Sequence, residues 1–313
     1  MQILVTGGAG FIGSNIVDAY LDAGHEVVIV DNLSTGHRAN LPKKAKFYEA
    51  DICDLKTLEK IFKEESFDIV SHHAAQIDVR ASVEKPQEDA QINIIGGINL
   101  LEMCRKYKIK KIIYAGTGGA LYGEMENGKP SDEKSPVLSL SHYGTSKYAL
   151  ELYIQLYARL YGLDFTIFRY ANVYGPRQNP KGEAGVVAIF INAMLEGKTP
   201  FIYGDGNQLR DYVYVKDVAQ ANLLALTGGK NETINIGSGK TTSVNQLFDL
   251  LKKDIGFIGM PEHKPQRPGE IYKSSLNVDY AKKVLDWSPQ STMEQALKET
   301  IVWQKANQKR GHP

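Results

Sequence analysis

The sequence predicts an α/β protein: a doubly wound parallel-sheet domain over residues 1–170, then a mainly separate, smaller α/β domain over 171–313. Two observations carry this. Short β-branched runs alternate with helix-period segments, five of them before residue 120, as successive βαβ units require. Beyond Tyr170 the pattern breaks up, with Pro, Gly and polar residues clustered at 175–185, 197–210 and 261–270 between shorter elements. A chain of 313 residues can hold more than one apolar core, and 42% hydrophobic with 23% charged residues excludes a disordered or fibrous protein.

Taken in order, the strands are expected at 2–6, 26–31, 46–50, 68–72 and 111–115, with a sixth at 164–169 after a long helix. The helices between them begin near Phe11, Leu55, Glu88 and Tyr143. One late run, 233–237, again reads as a buried strand able to rejoin the first sheet, so the chain need not be cut only once between domains.

Thirty-seven Lys and Arg against thirty-six Asp and Glu give a formal charge of +1, too little field to grip nucleic acid or an anionic membrane. Small molecules are the expected partners. The two cysteines, Cys53 and Cys104, have no CxxC or Cys/His metal spacing, and His72-His73 in a strand would point to opposite faces, so no metal is expected. Met1 runs straight into a strand and a glycine turn without a basic n-region, and no apolar run approaches the ~20 residues of a membrane span. A cytoplasmic protein is the expectation.

Directly after the first strand stands Thr6-Gly7-Gly8-Ala9-Gly10-Phe11-Ile12-Gly13. Gly7 permits a tight turn, Gly10 lets backbone amides approach a pyrophosphate, and Gly13 lets the following helix sit close on the sheet. The helix amino terminus then faces the anion, the arrangement of a Rossmann dinucleotide site. Asp31 ends the second strand, 18 residues after Gly13, where a carboxylate accepts from both hydroxyls of an adenosine ribose and repels a 2′-phosphate. NAD is therefore the expected cofactor; Arg38 nearby keeps NADP in view, and a plain turn acid is the other role open to Asp31. Asp51 and Ile52 after the third strand could flank the adenine, and Ala74, Ala75 and Gln76 after the fourth could line the pyrophosphate side. Ordinary strand-end turns account for them equally well.

Tyr143-Gly144-Thr145-Ser146-Lys147 places a phenol and an ammonium four residues apart, on one face of a helix. A free tyrosine titrates near pH ~10, so use as a base near neutrality requires phenolate stabilisation of about 3 units, roughly 4 kcal/mol. A neighbouring ammonium and an oxidised nicotinamide ring both supply it. An amphipathic helix carrying an unrelated Tyr and Lys is the alternative.

Together TGGAGFIG, DNLSTG at 31–36, LYG at 121–123, YGTSK at 143–147 and RYANVYGPRQ at 169–178 resemble the extended short-chain dehydrogenase/reductase family, most closely its UDP-hexose 4-epimerases. The likeness continues through YGDGNQLRDYVYVKDVA at 203–219, NIGSG at 235–239 and RPGE at 267–270, covering nearly the whole chain. It implies a Rossmann domain with a nucleotide-sugar-binding second domain, NAD as cofactor, and inversion at C4 of a UDP-sugar, UDP-galactose to UDP-glucose, through a transient 4-keto intermediate. It also implies that Phe11, Ile12, Asn32, Ser34, Thr35 and Gly36 join the cofactor site, with Asn93 on the nicotinamide side. A buried helix asparagine satisfying backbone groups is the alternative for Asn93.

By the same resemblance Tyr143 and Lys147 act with a Ser or Thr hydroxyl, and here the chain departs from the pattern. Counting back from Tyr122, Gly118 stands where the hydroxyl usually falls, and Thr117 is the candidate substitute; a strand-end Thr bonding backbone is its other role. Gly118-Gly119 also replaces the Asp-Glu pair of sugar 4,6-dehydratases, so water elimination lacks its proton carriers. Gly118, Asn172, Arg210, Arg267 and Glu270 match substrate-side positions, the arginines suited to a pyrophosphate by their planar fork. The apolar faces around 88–106 and 143–161 imply a homodimer bundle. UDP-glucuronate or a UDP-N-acetylhexosamine as substrate, and a catalytically silent NAD-binding sensor, are the competing readings.

Overall fold

The computed structural model describes residues 1–125, 128–181, 185–266 and 271–308. The first half runs β1 (Gln2–Thr6), α1 (Phe11–Asp22), β2 (Glu26–Asp31), β3 (Lys46–Glu49), α2 (Leu55–Glu64) and β4 (Ile69–His72). Two short helices, α3 (Val79–Glu84) and α4 (Pro86–Ala90), pass through a π-helical turn at Gln91–Gly96 into α5 (Gly97–Lys106), followed by β5 (Lys111–Thr117), α6 (His142–Tyr161) and β6 (Asp164–Tyr170). The second half adds β7 (Asn172–Tyr174), α7 (Val186–Leu195), β8 (Phe201–Tyr203), β9 (Leu209–Tyr214), α8 (Val215–Ala225) and β10 (Glu232–Ile236). Then come β11 (Thr241–Ser243), α9 (Val244–Ile255), β12 (Glu262–Lys264), β13 (Lys273–Ser274), α10 (Asp279–Leu285) and α11 (Met293–Gln308).

Seven strands form one parallel sheet in the order β10-β6-β5-β4-β1-β2-β3. Because side chains alternate between the faces, Ile3 and Val5 of β1 enter one core while Leu4 between them enters the other. Both faces are covered, which is why these strands read as continuous apolar runs. The strand order reverses between β1 and β4, and the crevice beyond their carboxyl ends is where such sheets bind ligands.

The late strand does return: β10 pairs β6 in parallel, Asn235 beside Arg169 and Ile236 beside Tyr170. Helix α8 comes back with it, and its Val218, Ala219 and Ala221 share a core with Ile16, Val17 and Tyr20 of α1. A third core joins Val187, Phe190 and Ile191 of α7 with Leu247 and Leu251 of α9 and Leu297 and Ile301 of α11. Helix α6 starts where the Ser141 side chain accepts from Gly144 N and stops at Gly162 in the left-handed conformation (φ 71°). The helix expected near Glu88 starts earlier, with Pro86 at its first turn, and changes pitch at the π-turn that carries Asn93.

Candidate active site

The glycine turn is packed backbone against backbone. Gly7 has φ +70°, and a Cβ there would lie 2.5 Å from Ala74 N; one on Gly13 would lie 2.2 Å from Gly7 O. At both positions the backbone approach leaves room for no side chain. Helix α1 follows with no side-chain cap and no acidic residue in its first turn, so its leading amides, at Phe11, Ile12 and Gly13, are left for a bound anion. These features fit the pyrophosphate of a dinucleotide.

Asp31 is buried at the rim of the same turn. Its Oδ2 accepts from Ala9 N at 3.0 Å and its Oδ1 from Leu33 N at 2.8 Å, so the carboxylate is fixed while each oxygen keeps a lone pair for a ribose hydroxyl. Turn acid and ribose acid are compatible roles for it. Gly36 lies against it, a Cβ there falling 2.9 Å from Asp31 Oδ1, while Ser34 and Thr35 are exposed on the connecting loop. Asn32 Nδ2 donates to Asp51 Oδ2 at 2.9 Å, tying the ends of β2 and β3 beside Ile52. Arg38 pairs with Glu49 and lies over the Phe47 ring at 5.6 Å. Its charge is thereby engaged outside the ribose position.

Across the sheet, Thr117 is the last residue of β5 and Tyr143 is in the first turn of α6. The Thr117 hydroxyl lies close enough to the Tyr143 phenol to hold its pKa down. Thr117 Oγ1 accepts from Ala120 N at 3.3 Å, so the strand-end backbone role open to it is filled. Burial first, then the charge of Asp89, pushes the Tyr143 phenol up to about 12, against the opposing effect of Thr117. One turn on, burial pulls Lys147 down to about 8, while Glu151 and Asp89 hold it up. Its ammonium lies 4.6 Å from the centre of the Tyr114 ring and makes no salt bridge among the described residues.

Several neighbours carry no signal in the YxxxK pattern. Asp89 is 1% exposed; its Oδ1 accepts from Gln76 Nε2 (3.0 Å) and Asn93 Nδ2 (3.1 Å), and its Oδ2 has no partner among the described residues. Asn93 pins the loop after β4 by accepting from Gln76 N at 2.9 Å and donating to Gln76 O at 3.0 Å, and its Nδ2 reaches Ser146 Oγ at 3.2 Å. The backbone-satisfying role open to Asn93 is thus filled, and it fastens Gln76, with Ala74 and Ala75 half-buried just before it, to the helix of Tyr143. The i, i+4 spacing of Asp89 and Asn93 is the one sequence signal that could have found the carboxylate. His72 bonds Thr6 Oγ1 and His73 bonds Ser71 Oγ, each at 2.8 Å. No metal-holding cluster occurs among the described residues.

Asn172 of β7 donates to Asp211 O at 3.1 Å, and a Cβ on Gly119 would stand 3.8 Å from Asn172 Nδ2. Arg210 of β9 donates from its guanidinium to the carbonyls of Leu209 (3.0 Å) and Tyr272 (3.3 Å). A Cβ on Gly118 would come within 2.6 Å of Leu276 Cδ1, so a larger residue there requires that side chain to shift. Arg267 and Glu270 lie outside the described residues.

The NAD dependent epimerase/dehydratase family matches residues 3–237. A UDP-glucose 4-epimerase of Thermotoga maritima, solved with UDP-glucose, is 50% identical and superimposes with a TM-score of 0.97 over 98% of this chain and all of its own. A Thermus thermophilus UDP-glucose 4-epimerase in complex with NAD is 42% identical, with a TM-score of 0.93 over 97% of this chain and 99% of its own. A UDP-N-acetylglucosamine 4-epimerase of Methanobrevibacter ruminantium, in complex with UDP-N-acetylmuramic acid, is 38% identical, with a TM-score of 0.92 over 98% of each chain. The glycine turn, the buried Asp31 and the Thr117, Tyr143 and Lys147 side chains therefore stand in the fold these proteins share, and the chain belongs to the NAD dependent epimerase/dehydratase family.

Proposed function

We propose that the protein interconverts UDP-galactose and UDP-glucose by inversion at C4. The observation that supports this reading is the Thr117 hydroxyl beside the Tyr143 phenol with Lys147 one helical turn away, in a chain whose glycine turn fits a dinucleotide. When bound, NAD supplies a two-electron acceptor that makes a transient 4-keto sugar accessible and is regenerated within the cycle. Tyr143 takes the proton from the sugar O4 and later returns it. Thr117 donates to the phenolate that must exist before this proton is taken, and the Lys147 ammonium stabilises the same charge across one turn. Gly118 and Gly119 put no acid or base beside the sugar, so elimination of water has no proton carrier there.

Inversion requires the ketone to turn over while the nucleotide stays fixed, so binding energy belongs in remote contacts, for which Asn172 of β7 and Arg210 of β9 are the candidates. A guanidinium such as that of Arg210 suits a pyrophosphate. Helix α6 exposes Leu152, Leu156 and Leu160 in an i+4 stripe, with Tyr153 and Tyr161 beside it, and this stripe supports a homodimer through that face. No helix among the described residues is long and apolar enough to cross a membrane.

The test is conversion of UDP-galactose to UDP-glucose by purified protein, first without added NAD and then with it. Turnover with NAD undiminished is expected. Failure in both conditions with NAD bound would refute the substrate assignment, and parallel runs with UDP-glucuronate and UDP-N-acetylglucosamine would identify the replacement. NAD binding with no turnover on any of the three would leave the sensor.

A further inference from the structure

Helix α4 buries a carboxylate to which the proton transfer described above gives no role. Asp89 makes no salt bridge among the described residues, and its neighbours Lys85 and Glu88 pair with each other at the surface, 3.1 Å apart. Removing a charge from water without a paired cation is costly, so a fold that keeps one there needs a compensating charge nearby. Helix α6 packs against α4 and carries the complement: Lys147, 4% exposed and likewise without a salt bridge among the described residues.

The other charges around Lys147 are balanced or absent. Glu151, one turn further along α6, acts on it most strongly, yet that carboxylate is held by Arg169 of β6 at 2.7 Å. On β4, burial holds His72 and His73 well below the usual histidine value, so neither competes as a cation near neutrality. From β5 the Tyr114 phenol is pushed well up by burial and stays neutral. On α5, Glu102 and Arg105 pair with each other, and on α3 Arg80 and Glu84 are exposed. Asp89 is left as the facing carboxylate with no cation of its own among the described residues.

Its hydrogen bonds reach the same helix. Asp89 Oδ1 accepts from Asn93 Nδ2, which also reaches Ser146 Oγ, and Ser146 Oγ donates to the carbonyl of Tyr143 at 3.0 Å. The same Oδ1 accepts from Gln76 Nε2 in the loop after β4. We propose that Asp89 is a positioning residue, which tethers the first turn of α6 to the loop after β4 and serves as the counter-charge that keeps Lys147 an ammonium. The proposal rests on the 4-epimerase reading only for its effect on turnover.

The sign of the charge effect is fixed by the geometry. Burial already draws Lys147 down to about 8 with Asp89 in place, so without that carboxylate the ammonium is lost closer to neutrality. The same negative charge pushes the Tyr143 phenol up, so its removal lowers both members of the pair, which titrate together. The ascending limb of the pH–rate profile follows loss of the Tyr143 proton and the descending limb loss of the Lys147 proton; both therefore move to lower pH.

Asp89→Asn removes the charge and nearly keeps the shape. On NAD-loaded protein turning over UDP-galactose, both limbs should move about one unit to lower pH, the size expected of a nearby charge. Asp89→Glu keeps the charge, so its limbs should stay at the parent's position even where kcat falls. Ser146→Ala breaks the chain beyond Asn93 and leaves the charge, so it should lower kcat about threefold or more with unmoved limbs, and it tests the tether even where Asp89→Asn does not fold. A readout free of substrate is the ultraviolet absorbance of the Tyr143 phenolate, taken as the difference between each NAD-loaded protein and its Tyr143→Phe counterpart; it should titrate at lower pH in Asp89→Asn. Unmoved limbs and absorbance in Asp89→Asn, or an equal shift in Asp89→Glu, would overturn the counter-charge; full kcat in Ser146→Ala would overturn the tether. A parent that does not turn over, with the absorbance shift still present in Asp89→Asn, would refute the nucleotide-sugar reading and uphold the role of Asp89.

Discussion

Replacing Thr117 by Val removes one hydroxyl while keeping the β-branched shape at the buried end of β5. Two interactions are lost, the effect of the hydroxyl on Tyr143 and the hydrogen bond from Ala120 N. A hydrogen bond to a charged group is worth about 1.5–3 kcal/mol, and the bond to Tyr143 reaches that strength only as phenolate forms. At about 1.4 kcal/mol per decade, kcat for UDP-galactose should fall roughly 10- to 150-fold. The phenol, already pushed up to about 12 with Thr117 present, should rise further without it, so the ascending limb of the pH–rate profile should move to higher pH. Losing the acceptor for Ala120 N should cost about 1–3 kcal/mol of stability, which chemical denaturation measures separately from rate. Thr117→Ser keeps the hydroxyl and should stay within a few-fold of the parent. A Val variant retaining more than half of kcat, with an unmoved pH profile, would refute Thr117 as the partner of Tyr143.

Tyr143→Phe should lower kcat at least 100-fold while leaving NAD affinity within about threefold, since the ring remains and only the proton carrier is lost; fluorescence titration and turnover together check it. Asp31→Asn should weaken NAD about tenfold or more and narrow its preference over NADP, because it removes both the charged acceptor and the repulsion toward a 2′-phosphate; equal discrimination in the variant would refute the ribose role. Leu156→Glu with Leu160→Glu should give a monomer by light scattering if the α6 stripe is the dimer face. Burial holds His73 down at about 3, with Lys147 adding to the effect, and His72 well below its usual value for the same causes. The unfolded chain therefore takes up two protons near pH 6.5 that the fold refuses, and stability should fall by about 3 kcal/mol between pH 8 and 5.5. A flat urea midpoint over that interval would contradict this.

The first sheet was legible because both of its faces are covered, so β1, β2, β4 and β5 announce themselves as apolar runs whatever their neighbours do. The return of β10 was also readable, since a strand buried at a sheet edge beside β6 keeps that apolar signature even after an excursion through another domain. Local pitch was less accessible. The π-turn at Gln91–Gly96 has no composition of its own and places Asn93 by its extra residue per turn. Asp89 escaped for a related reason: a carboxylate on a short helix reads as solvated, and only the packing of α4 and α6 removes it from water. The glycine turn and Asp31 were found because their chemistry is local, whereas Arg210 could be placed on the cleft wall only by analogy, its wall being assembled from strands far apart in the chain.

The displaced hydroxyl has a structural cause that joins these strands of argument. In the family pattern the hydroxyl would belong at residue 118, yet a Cβ there would run into Leu276, a fully buried side chain contributed by the segment after β13. Gly118 N and Gly119 N instead both donate to Tyr170 O, at 2.7 and 3.2 Å, bending the chain away directly after β5. Thr117, one residue earlier, carries the hydroxyl proposed to take that role, and its place in the sheet is fixed by pairing with Tyr170. Moving the hydroxyl back should fail for the same reason: Thr117→Val with Gly118→Ser should gain no activity over Thr117→Val alone and should lose further stability as Leu276 is displaced. Recovery of turnover in the double variant would show that the phenol can follow the hydroxyl, and that Leu276 does not determine where it sits.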